Sequence, residues 1–335
     1  MKRLLLTIAA CLALMTSWAQ VTRTTYDYAI KGADTLRLDI YLDQSLKTEG
    51  KRPVMIYMHG GAWSAGSRKN AAQEVYNRHF AERGFVSVSI NYRLALAEGN
   101  TYGAKTLYDV IRIGNEDMVS ATNFLLSMAE ELNADTETVL ISGGSAGAIC
   151  SLQLEYDLCN GKDYTKELPE GFNYAGIISQ AGAIVMEGDT VKWDKSPCPI
   201  LFIHGDNDGA VPFERNELVE GSFEVHGEMV GSKYLHEQLA QMDSPHWLYV
   251  QKGADHIMAM KSLTDNLEEC DKFYESFVKE KRHSIVYTEW ADAEPANMNG
   301  VEQMVKFAPL YILGFGKYLD EIDWGNLDKP DSVVY

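Results

Sequence analysis

Basic residues and cysteines are scarce in this chain of 335 residues. Lysine and arginine number 30 against 48 aspartates and glutamates, which gives a formal net charge of −18, and there are 5 cysteines. So few cysteines exclude a small scaffold held together by disulfides. The acidic balance argues against nucleic acid and anionic lipid as partners, because both are polyanions. We therefore expect substrates that carry little negative charge.

Long apolar runs are missing beyond the start of the chain. Two basic residues open it, residues 4–15 are apolar, and small residues precede Gln20. This pattern predicts a secretory signal peptide over residues 1–19 rather than a membrane span, for which the apolar core is too short. We predict cleavage after Ala19, a periplasmic or secreted protein, and a net charge of −20 once the two basic residues are removed. Lipid attachment at Cys11 ranks second, since it leaves a very short apolar core before that cysteine.

Patterns for metals and cofactors are absent as well. The sequence has no Cys-x-x-Cys, no His-x-x-x-His and no Gly-x-Gly-x-x-Gly after a strand, so we expect neither a metal nor a cofactor. Two of the cysteines, Cys150 and Cys159, are expected on one helix, where the rise separates them by about 13 Å, beyond the reach of a disulfide. We expect buried free thiols in place of disulfides.

Strand and helix patterns alternate from residue 53 to residue 280. The apolar run 53–58 is typical of a strand buried on both faces of a parallel sheet. The alternation predicts a doubly wound α/β fold with crossover helices. The predicted strands are 24–30, 35–42, 53–58, 85–90, 139–142, 175–179, 199–204 and 246–251, and the predicted helices are 71–83, 109–132, a helix from 146, 232–241 and 264–280.

No internal repeat or Pro-rich linker divides the sequence. We predict one domain over residues 20–335, with its core at about 35–280. The polar stretch 214–231 is a candidate lid or pocket wall, because loops at the carboxyl end of a sheet commonly shape substrate sites. Residues 281–335 are interpreted as a C-terminal extension.

The sequence 143–147, Gly-Gly-Ser-Ala-Gly, lies between an apolar strand pattern and a helical one. This context predicts a nucleophile elbow, a turn so tight that Ser145 adopts a strained backbone conformation and lifts its hydroxyl above the sheet edge. Gly143 and Gly147 lie where a Cβ atom would collide as strand and helix pack together. Catalysis by Ser145 is favoured over an ordinary glycine-rich loop because candidate partners follow in the sequence.

A serine nucleophile needs a base that is itself oriented by a carboxylate. Strand 199–204 ends in a loop with two carboxylates, Asp206 and Asp208, and the strand after it is followed by His256. Parallel strands end at one edge of the sheet, so His256 is expected at the edge where Ser145 lies. Either partner alone would be an ordinary loop residue, but the order serine, acid, histidine favours a catalytic triad.

The loop that opens at His59 supplies candidate donors for a tetrahedral oxyanion. Its glycines allow backbone N–H groups to turn toward a substrate, and we select Gly61 and Ala62, together with Ala146 directly after the nucleophile. His59 is expected to bond to the loop backbone. Like His204 at a strand end, it is interpreted as structural.

These motifs together resemble those of the α/β-hydrolase superfamily. They are His-Gly-Gly-Ala-Trp at 59–63, Asn-Tyr-Arg-Leu at 91–94, Gly-Gly-Ser-Ala-Gly at 143–147, His-Gly-Asp-Asn-Asp at 204–208 and Gly-Ala-Asp-His at 253–256. The chain is most similar to exported bacterial carboxylesterases, including the feruloyl and acetyl-xylan esterase-like group of gut Bacteroidetes (the BD-FAE type). The resemblance implies the α/β-hydrolase fold, a serine mechanism, and Asp208 as the acid, with Asp206 as the alternative.

The resemblance also implies a function. We expect an exported serine esterase that acts through an acyl-enzyme on small esters or on acylated oligosaccharides of plant origin. A serine peptidase of the same fold acting on short peptides is the first alternative. It is disfavoured by Ala148, which stands where secreted peptidases of this fold have a second glycine. A catalytically inactive binding module is the second alternative, disfavoured because candidates for all three triad residues are present.

Overall fold

The computed structural model of the chain describes residues 21–48, 50–99, 102–186, 190–217, 228–291 and 333–334. The predicted signal peptide with Cys11, residues 218–227 of the predicted lid and most of the predicted C-terminal extension lie outside these ranges.

Strands and helices follow one another much as the sequence predicts. In chain order the strands are β1 (Val21–Lys31), β2 (Asp34–Asp43), β3 (Arg52–Met58), β4 (Val86–Ile90), β5 (Ala134–Gly144), β6 (Gly176–Gln180), β7 (Ala183–Met186), β8 (Ile200–Gly205), β9 (Arg215–Glu217), β10 (Glu228–Gly231), β11 (His246–Gln251), β12 (Ile285–Trp290) and β13 (Val333–Val334). The α-helices are α1 (Ala71–Ala81), α2 (Leu107–Ser127), α3 (Ala146–Cys159), α4 (Ser232–Gln241), α5 (Met258–Asp265) and α6 (Leu267–Phe273), with a 3₁₀ helix at Asp163–Glu167 and a π-helical turn at Tyr274–Lys279. None of the helices in the described ranges has the length and apolar character that a membrane span requires.

A ten-stranded sheet forms the centre of the fold, in the order β12-β11-β8-β6-β5-β3-β4-β2-β1-β13. The β1–β2 and β2–β4 pairs are antiparallel, and the other neighbours pair in parallel. This mostly parallel sheet confirms the predicted α/β architecture. It also brings the carboxyl ends of β3, β5, β8 and β11 to the same edge, as parallel pairing requires.

Helices cover both faces of this sheet. Along β3, Val54 and Ile56 belong to a core completed by α2 and α3, whereas Met55 and Tyr57 belong to a second core completed by α1, α5 and α6. Side chains of a strand point alternately to its two faces. A strand covered on both sides therefore carries the continuous apolar run that the sequence shows at this point.

Two predicted helices are wrong in extent. α2 ends at Ser127 rather than at residue 132, and turns lead from it to β5, with Asn133 at a positive φ of 50°. No glycine or proline marks that end in the sequence, so the usual stop signals are missing. The predicted helix 264–280 is divided into part of α5, α6 and the π-helical turn, and the break falls at Asn266.

A second sheet of three antiparallel strands was not predicted. It has the order β7-β10-β9, and its strands are only three or four residues long. Both described ends of the predicted lid belong to it. Val230 is fully buried, and the Gly231 amide donates to the Glu214 carbonyl at 2.6 Å. Val230 and Gly231 are therefore packed against the body of the protein, whereas Glu214, Arg215 and Asn216 at the other end are exposed.

The cysteines of the described ranges agree with the sequence prediction. Cys150, Cys159, Cys198 and Cys270 are free thiols, and three of them are buried, with Cys198 half-buried. Cys150 and Cys159 both lie on α3, as expected. Burial raises the pKa of the Cys150 thiol to about 12, which leaves it protonated and unreactive at neutral pH.

Candidate active site

Ser145 lies in the turn between β5 and α3, and its backbone is strained. Its φ of 53° and ψ of −121° fall in a region that non-glycine residues rarely adopt. The amide of Ser145 donates to the Gln180 carbonyl at 2.9 Å, which fastens the turn to β6. This is the conformation that the elbow motif predicts.

Glycines allow the strand and the helix to approach so closely. A Cβ atom at Gly143 would lie 2.3 Å from the carbonyl carbon of Gly147, and one at Gly147 would lie 2.0 Å from the Met58 carbonyl oxygen. Both distances are far below van der Waals contact. The two flanking glycines are therefore required by the path of the backbone, as the sequence indicates.

His256 lies between Ser145 and Asp208. Its Nε2 is 2.9 Å from Ser145 Oγ, and its Nδ1 is 2.7 Å from Asp208 Oδ2. A carboxylate accepts only, so Nδ1 carries the proton and Nε2 is free to accept from the serine hydroxyl. All three residues are buried. The structure thus brings together the three residues that the sequence selects from distant parts of the chain.

Asp208 accepts hydrogen bonds on both oxygens. Oδ1 accepts from the amides of Ala210 and Val211, each at 2.9 Å, while Oδ2 accepts from the rings of His256 and His204. Burial by itself would raise the pKa of Asp208. Attraction to the His256 ring in its protonated form and the hydrogen bonds from the two rings outweigh that effect and hold the pKa well below its ordinary value. Asp208 is therefore a carboxylate throughout the neutral range.

Asp206, the alternative acid, has a different place. Its Oδ1 accepts from the Gly253 amide at 2.5 Å, and its Oδ2 pairs with Lys252 Nζ at 2.6 Å. These contacts connect the loop after β8 to the loop after β11, just before His256. Asp206 thus supports the loop that carries the histidine, and Asp208 contacts the ring itself.

The loop after β3 has an unusual backbone at the residues chosen as oxyanion donors. Gly61, Ala62 and Trp63 have φ values of 113°, 51° and 54°. The Gly61 carbonyl accepts from the amides of Ser64 and Ala65, each at 3.0 Å. Within the described residues neither the Gly61 nor the Ala62 amide donates to a main-chain oxygen. Both amides remain available to a ligand, so their assignment as donors stays a prediction.

Ala146, the third predicted donor, is the first residue of α3. Amides in the first turn of a helix have no partner within the helix, and the positive end of the helix dipole lies there. An amide directly after the strained serine is therefore suited to an anion that forms on a carbonyl oxygen beside the serine Oγ. The role of Ala146 as an oxyanion donor is a prediction, as are the roles of Gly61 and Ala62.

His59 is bonded to the backbone of the loop after β3, as predicted. Its Nδ1 donates to the Gly60 carbonyl at 2.6 Å, and its ring packs on that of Tyr92, whose hydroxyl donates to the His59 carbonyl at 3.0 Å. Burial lowers the pKa of His59 to about 4. A buried, neutral ring bonded to the loop backbone in this way supports the loop and is not a second base.

His204 contacts the site more directly than the sequence interpretation allowed. Its Nε2 lies 3.2 Å from Asp208 Oδ2. The spacing of four residues in His-Gly-x-x-Asp, at the end of a strand, is the signal that could have indicated this contact. By contrast His246 lies at the amino end of β11, where it bonds to His236 at 2.7 Å. Among the described residues no group of three or more His, Cys, Asp and Glu side chains is arranged to hold a metal ion.

Known proteins resemble this chain most clearly around the nucleophile. Residues 38–184 match the BD-FAE family. Gut esterase 1 of Caenorhabditis elegans is 27% identical over 137 residues, which are 41% of this chain and 24% of that protein. A probable carboxylic ester hydrolase of Mycobacterium tuberculosis, LipM, is 31% identical over 110 residues, which are 33% of this chain and 23% of that protein. The chain thus spans about a quarter of the length of these curated relatives.

A solved structure extends the likeness to the rest of the fold. The propionate-bound esterase 2 of Thermogutta terrifontis has a TM-score of 0.54 to this chain at 20% identity, covering 77% of this chain and 93% of that one. This similarity shows the α/β-hydrolase fold. The family match includes Ser145 and the loop after β3 but ends before Asp208 and His256, so the latter two rest on the geometry described above.

Proposed function

We propose that this α/β hydrolase of the BD-FAE type is an esterase that cleaves carboxylic esters with Ser145 as its nucleophile. The observation that carries the proposal is the chain of hydrogen bonds from Ser145 through His256 to Asp208, at 2.9 and 2.7 Å. A strained serine beside a neutral imidazole, itself fixed by a carboxylate, is the arrangement that serine hydrolysis requires. The esterases among the relatives support the same reaction.

In the proposed reaction, Nε2 of His256 takes the hydroxyl proton while Ser145 Oγ attacks the ester carbonyl carbon. The imidazolium is stabilised by the Asp208 carboxylate and then donates its proton to the leaving alkoxide, which leaves the acyl group on Ser145. Water, deprotonated by His256, attacks this acyl-enzyme. The bond to Ser145 Oγ then breaks, His256 returns the proton to that oxygen, and the acid is released. Asp208 stays ionised throughout.

Negative charge develops on the carbonyl oxygen during both attacks. In the proposal the amides of Gly61, Ala62 and Ala146 donate to that oxygen. Removing one such donor in a serine hydrolase lowers kcat by about 10²–10³-fold. The unpaired amides and positive φ values of the loop after β3 support this role.

The proposed substrates are small esters and acylated oligosaccharides released from plant polysaccharide. The BD-FAE match and the net charge of −18 support uncharged substrates of this kind. Propionate is bound in the structure of the esterase 2 of Thermogutta terrifontis, which supports our proposal of a short acyl chain for this protein. A matched panel of acetylated xylan, methyl ferulate and p-nitrophenyl esters of rising chain length would rank these classes by kcat/KM. Preference for long acyl chains would contradict the proposal on substrate.

Export is part of the proposal and has its own test. Residues 1–19 have the signal-peptide pattern. Expressed as the full chain in a bacterium, the protein is expected in the periplasm or medium, with Gln20 at its amino terminus by mass spectrometry. A lipid-modified Cys11 would support the alternative anchor, and an intact Met1 in the cytoplasm would contradict export.

The nucleophile is tested by Ser145→Ala against Ser142→Ala. Ser142 is a buried serine three residues earlier whose hydroxyl bonds to Tyr76 at 2.9 Å. We expect Ser145→Ala to lower kcat on p-nitrophenyl acetate by about 10⁴-fold or more and to abolish labelling by a fluorophosphonate, while Ser142→Ala keeps both. Near wild-type turnover by Ser145→Ala would refute the assignment.

The two alternative functions have outcomes of their own. If the wild type turned over amides as well as esters of equal leaving-group reactivity, a peptidase would be favoured. If the fluorophosphonate did not label the wild type, a binding module would be favoured.

A further inference from the structure

His204 is a buried histidine whose two ring nitrogens are both bonded. It lies in β8, four residues before Asp208, and it is completely inaccessible to solvent. Nε2 is 3.2 Å from Asp208 Oδ2 and 3.3 Å from the Val211 carbonyl oxygen. Nδ1 is 2.7 Å from the hydroxyl of Ser232, the first residue of α4. The ring thus connects the acid of the candidate triad to a segment 28 residues further along the chain.

The partners of the ring determine where its proton is. Nε2 faces two oxygens that can only accept, the Asp208 carboxylate and a carbonyl, so Nε2 must carry hydrogen. Nδ1 faces the Ser232 hydroxyl, whose single hydrogen can be donated either to Nδ1 at 2.7 Å or to the Gly182 carbonyl at 3.4 Å. Nδ1 is the nearer acceptor, and donation to it gives the neutral ring with its proton on Nε2. Of the contacting groups, Asp208 is charged, whereas Ser232, Val211 and Phe213 are not.

We propose that His204 is a positioning residue for the acid–base pair. Its Nε2–H donates to the same Asp208 oxygen that binds His256, and it thereby fixes the orientation of the carboxylate and the negative charge that faces His256. The inference rests on the proposed function, since it concerns the reaction of Ser145. The other carboxylate oxygen is held by two amides. With His204 in place, both oxygens of Asp208 therefore have donors other than His256, and these keep the carboxylate turned toward the His256 ring.

Losing the ring would have two consequences. The carboxylate would gain rotational freedom, so the orientation of His256 would be less well defined and kcat would fall. One donor fewer on Asp208 would also leave more of its negative charge for His256, which would hold its proton to higher pH. The acidic limb of the kcat/KM profile should then move to higher pH. If His204 only filled space, its replacement would change neither the pH profile nor the kcat of the folded enzyme.

Ser232 offers a second way to disturb the ring. Its hydroxyl contacts His204 Nδ1 and also lies 3.4 Å from the Gly182 carbonyl, just before β7. The ring of Phe213 packs on His204 at 5.5 Å between centroids. The ring is thus held by residues that flank the strands of the three-stranded sheet. Ser232→Ala should weaken the preference for the Nε2–H tautomer without changing the volume of the core greatly.

The experiment compares His204→Leu and His204→Gln with the matched pair His246→Leu and His246→Gln. His246 is equally inaccessible and bonded through both ring nitrogens, but its partners are Ser244 and His236, away from the triad. We expect His204→Leu to lower kcat by about 10–100-fold at unchanged KM and to shift the acidic limb upward. His204→Gln, whose amide can donate to Asp208, should restore most of kcat. The His246 variants should alter thermal stability alone.

A second measurement does not depend on turnover or on the leucine variant folding. In protein labelled with ¹⁵N-histidine, the ring signals that disappear in His204→Gln should report a proton on Nε2 and none on Nδ1. An Nδ1–H tautomer, or a His204→Leu variant with the wild-type kcat and pH profile, would overturn the inference. A wild type that lacks esterase activity but shows the Nε2–H tautomer would refute the esterase function alone, so the two failures are distinguishable.

Discussion

The nucleophile side of the site and the acid–base side are built by different means. Ser145 and the loop before it are shaped by the backbone, with positive φ values at Ala62, Trp63 and Ser145 and glycines where a Cβ would collide. On the acid–base side a Cβ at Gly205 would also collide, at 2.3 Å from the Ala254 carbonyl oxygen, but Asp208 and His256 have no positive φ and are held by side-chain hydrogen bonds. The nucleophile itself is thus fixed by backbone strain, whereas the acid and the base are fixed by polar contacts among buried groups.

The difference determines how each side should fail. Steric exclusion is all-or-none, because a single methyl group in a close-packed contact forces the strand and helix apart. Polar contacts can be removed singly, and they respond to pH because charged groups take part in them. Substitutions of the packed glycines on the nucleophile side should therefore affect folding, and substitutions of the polar groups on the acid–base side should affect turnover while the fold persists. The predictions that follow test this contrast.

Within this contrast, the largest expected effect is on turnover, at Asp208. Asp208→Asn keeps the shape of the side chain but presents an amide that can force His256 into the wrong tautomer. We expect kcat on p-nitrophenyl acetate to fall by about 10³–10⁴-fold while the circular dichroism spectrum stays that of the wild type. Asp206→Asn is the matched control, since its carboxylate contacts only the neighbouring loop, and it should stay within about tenfold of the wild type. Equal losses in both variants would contradict the assignment of the acid.

A steric change on the nucleophile side should act on stability first. In Gly147→Ala the new Cβ lies 2.0 Å from the Met58 carbonyl oxygen, which belongs to the central strand β3 and cannot move cheaply. We expect the free energy of unfolding in urea to fall by about 3 kcal/mol or more. Gly50→Ala is the control, because a Cβ at Gly50 meets nothing within 4 Å. A stable Gly147→Ala with altered kcat only would show that the two sides do not differ as described.

The acid–base side should also respond to pH through Asp208. Its pKa is lower in the folded protein than in the unfolded chain, where an aspartate titrates near a pH of about 3.9. The carboxylate therefore adds stability above that pH, and this contribution is lost as the pH falls toward the folded value. Between pH 5 and pH 3 the wild type should lose about 1 kcal/mol more unfolding free energy than Asp208→Asn. Urea titrations at both pH values measure it, with Asp206→Asn as the control for charge removal.

The sequence carries more information about the nucleophile side than about the acid–base side. The Gly-x-Ser-x-Gly pattern predicts the strain at Ser145 because steric demands act within five consecutive residues, and they are visible as glycines. His256 could be foreseen from strand order alone. The contact between His204 and Ser232 joins residues that are distant in the chain, and nothing local signals it. Likewise the strands β7, β9 and β10 are too short for a periodic pattern, so their pairing depends on tertiary proximity.

The smallest expected effect comes from a polar contact beneath the nucleophile. The Tyr76 hydroxyl bonds to Ser142 at 2.9 Å in the buried layer under the elbow, and Gln180 Nε2 gives Ser142 a further partner at 3.3 Å. Since the elbow is shaped by its glycines, Tyr76→Phe should lower the unfolding free energy by about 0.5–1.5 kcal/mol and leave kcat within about twofold of the wild type. A large loss of kcat at full stability would mean that side-chain hydrogen bonds orient Ser145 too, and the two sides of the site would then be built alike.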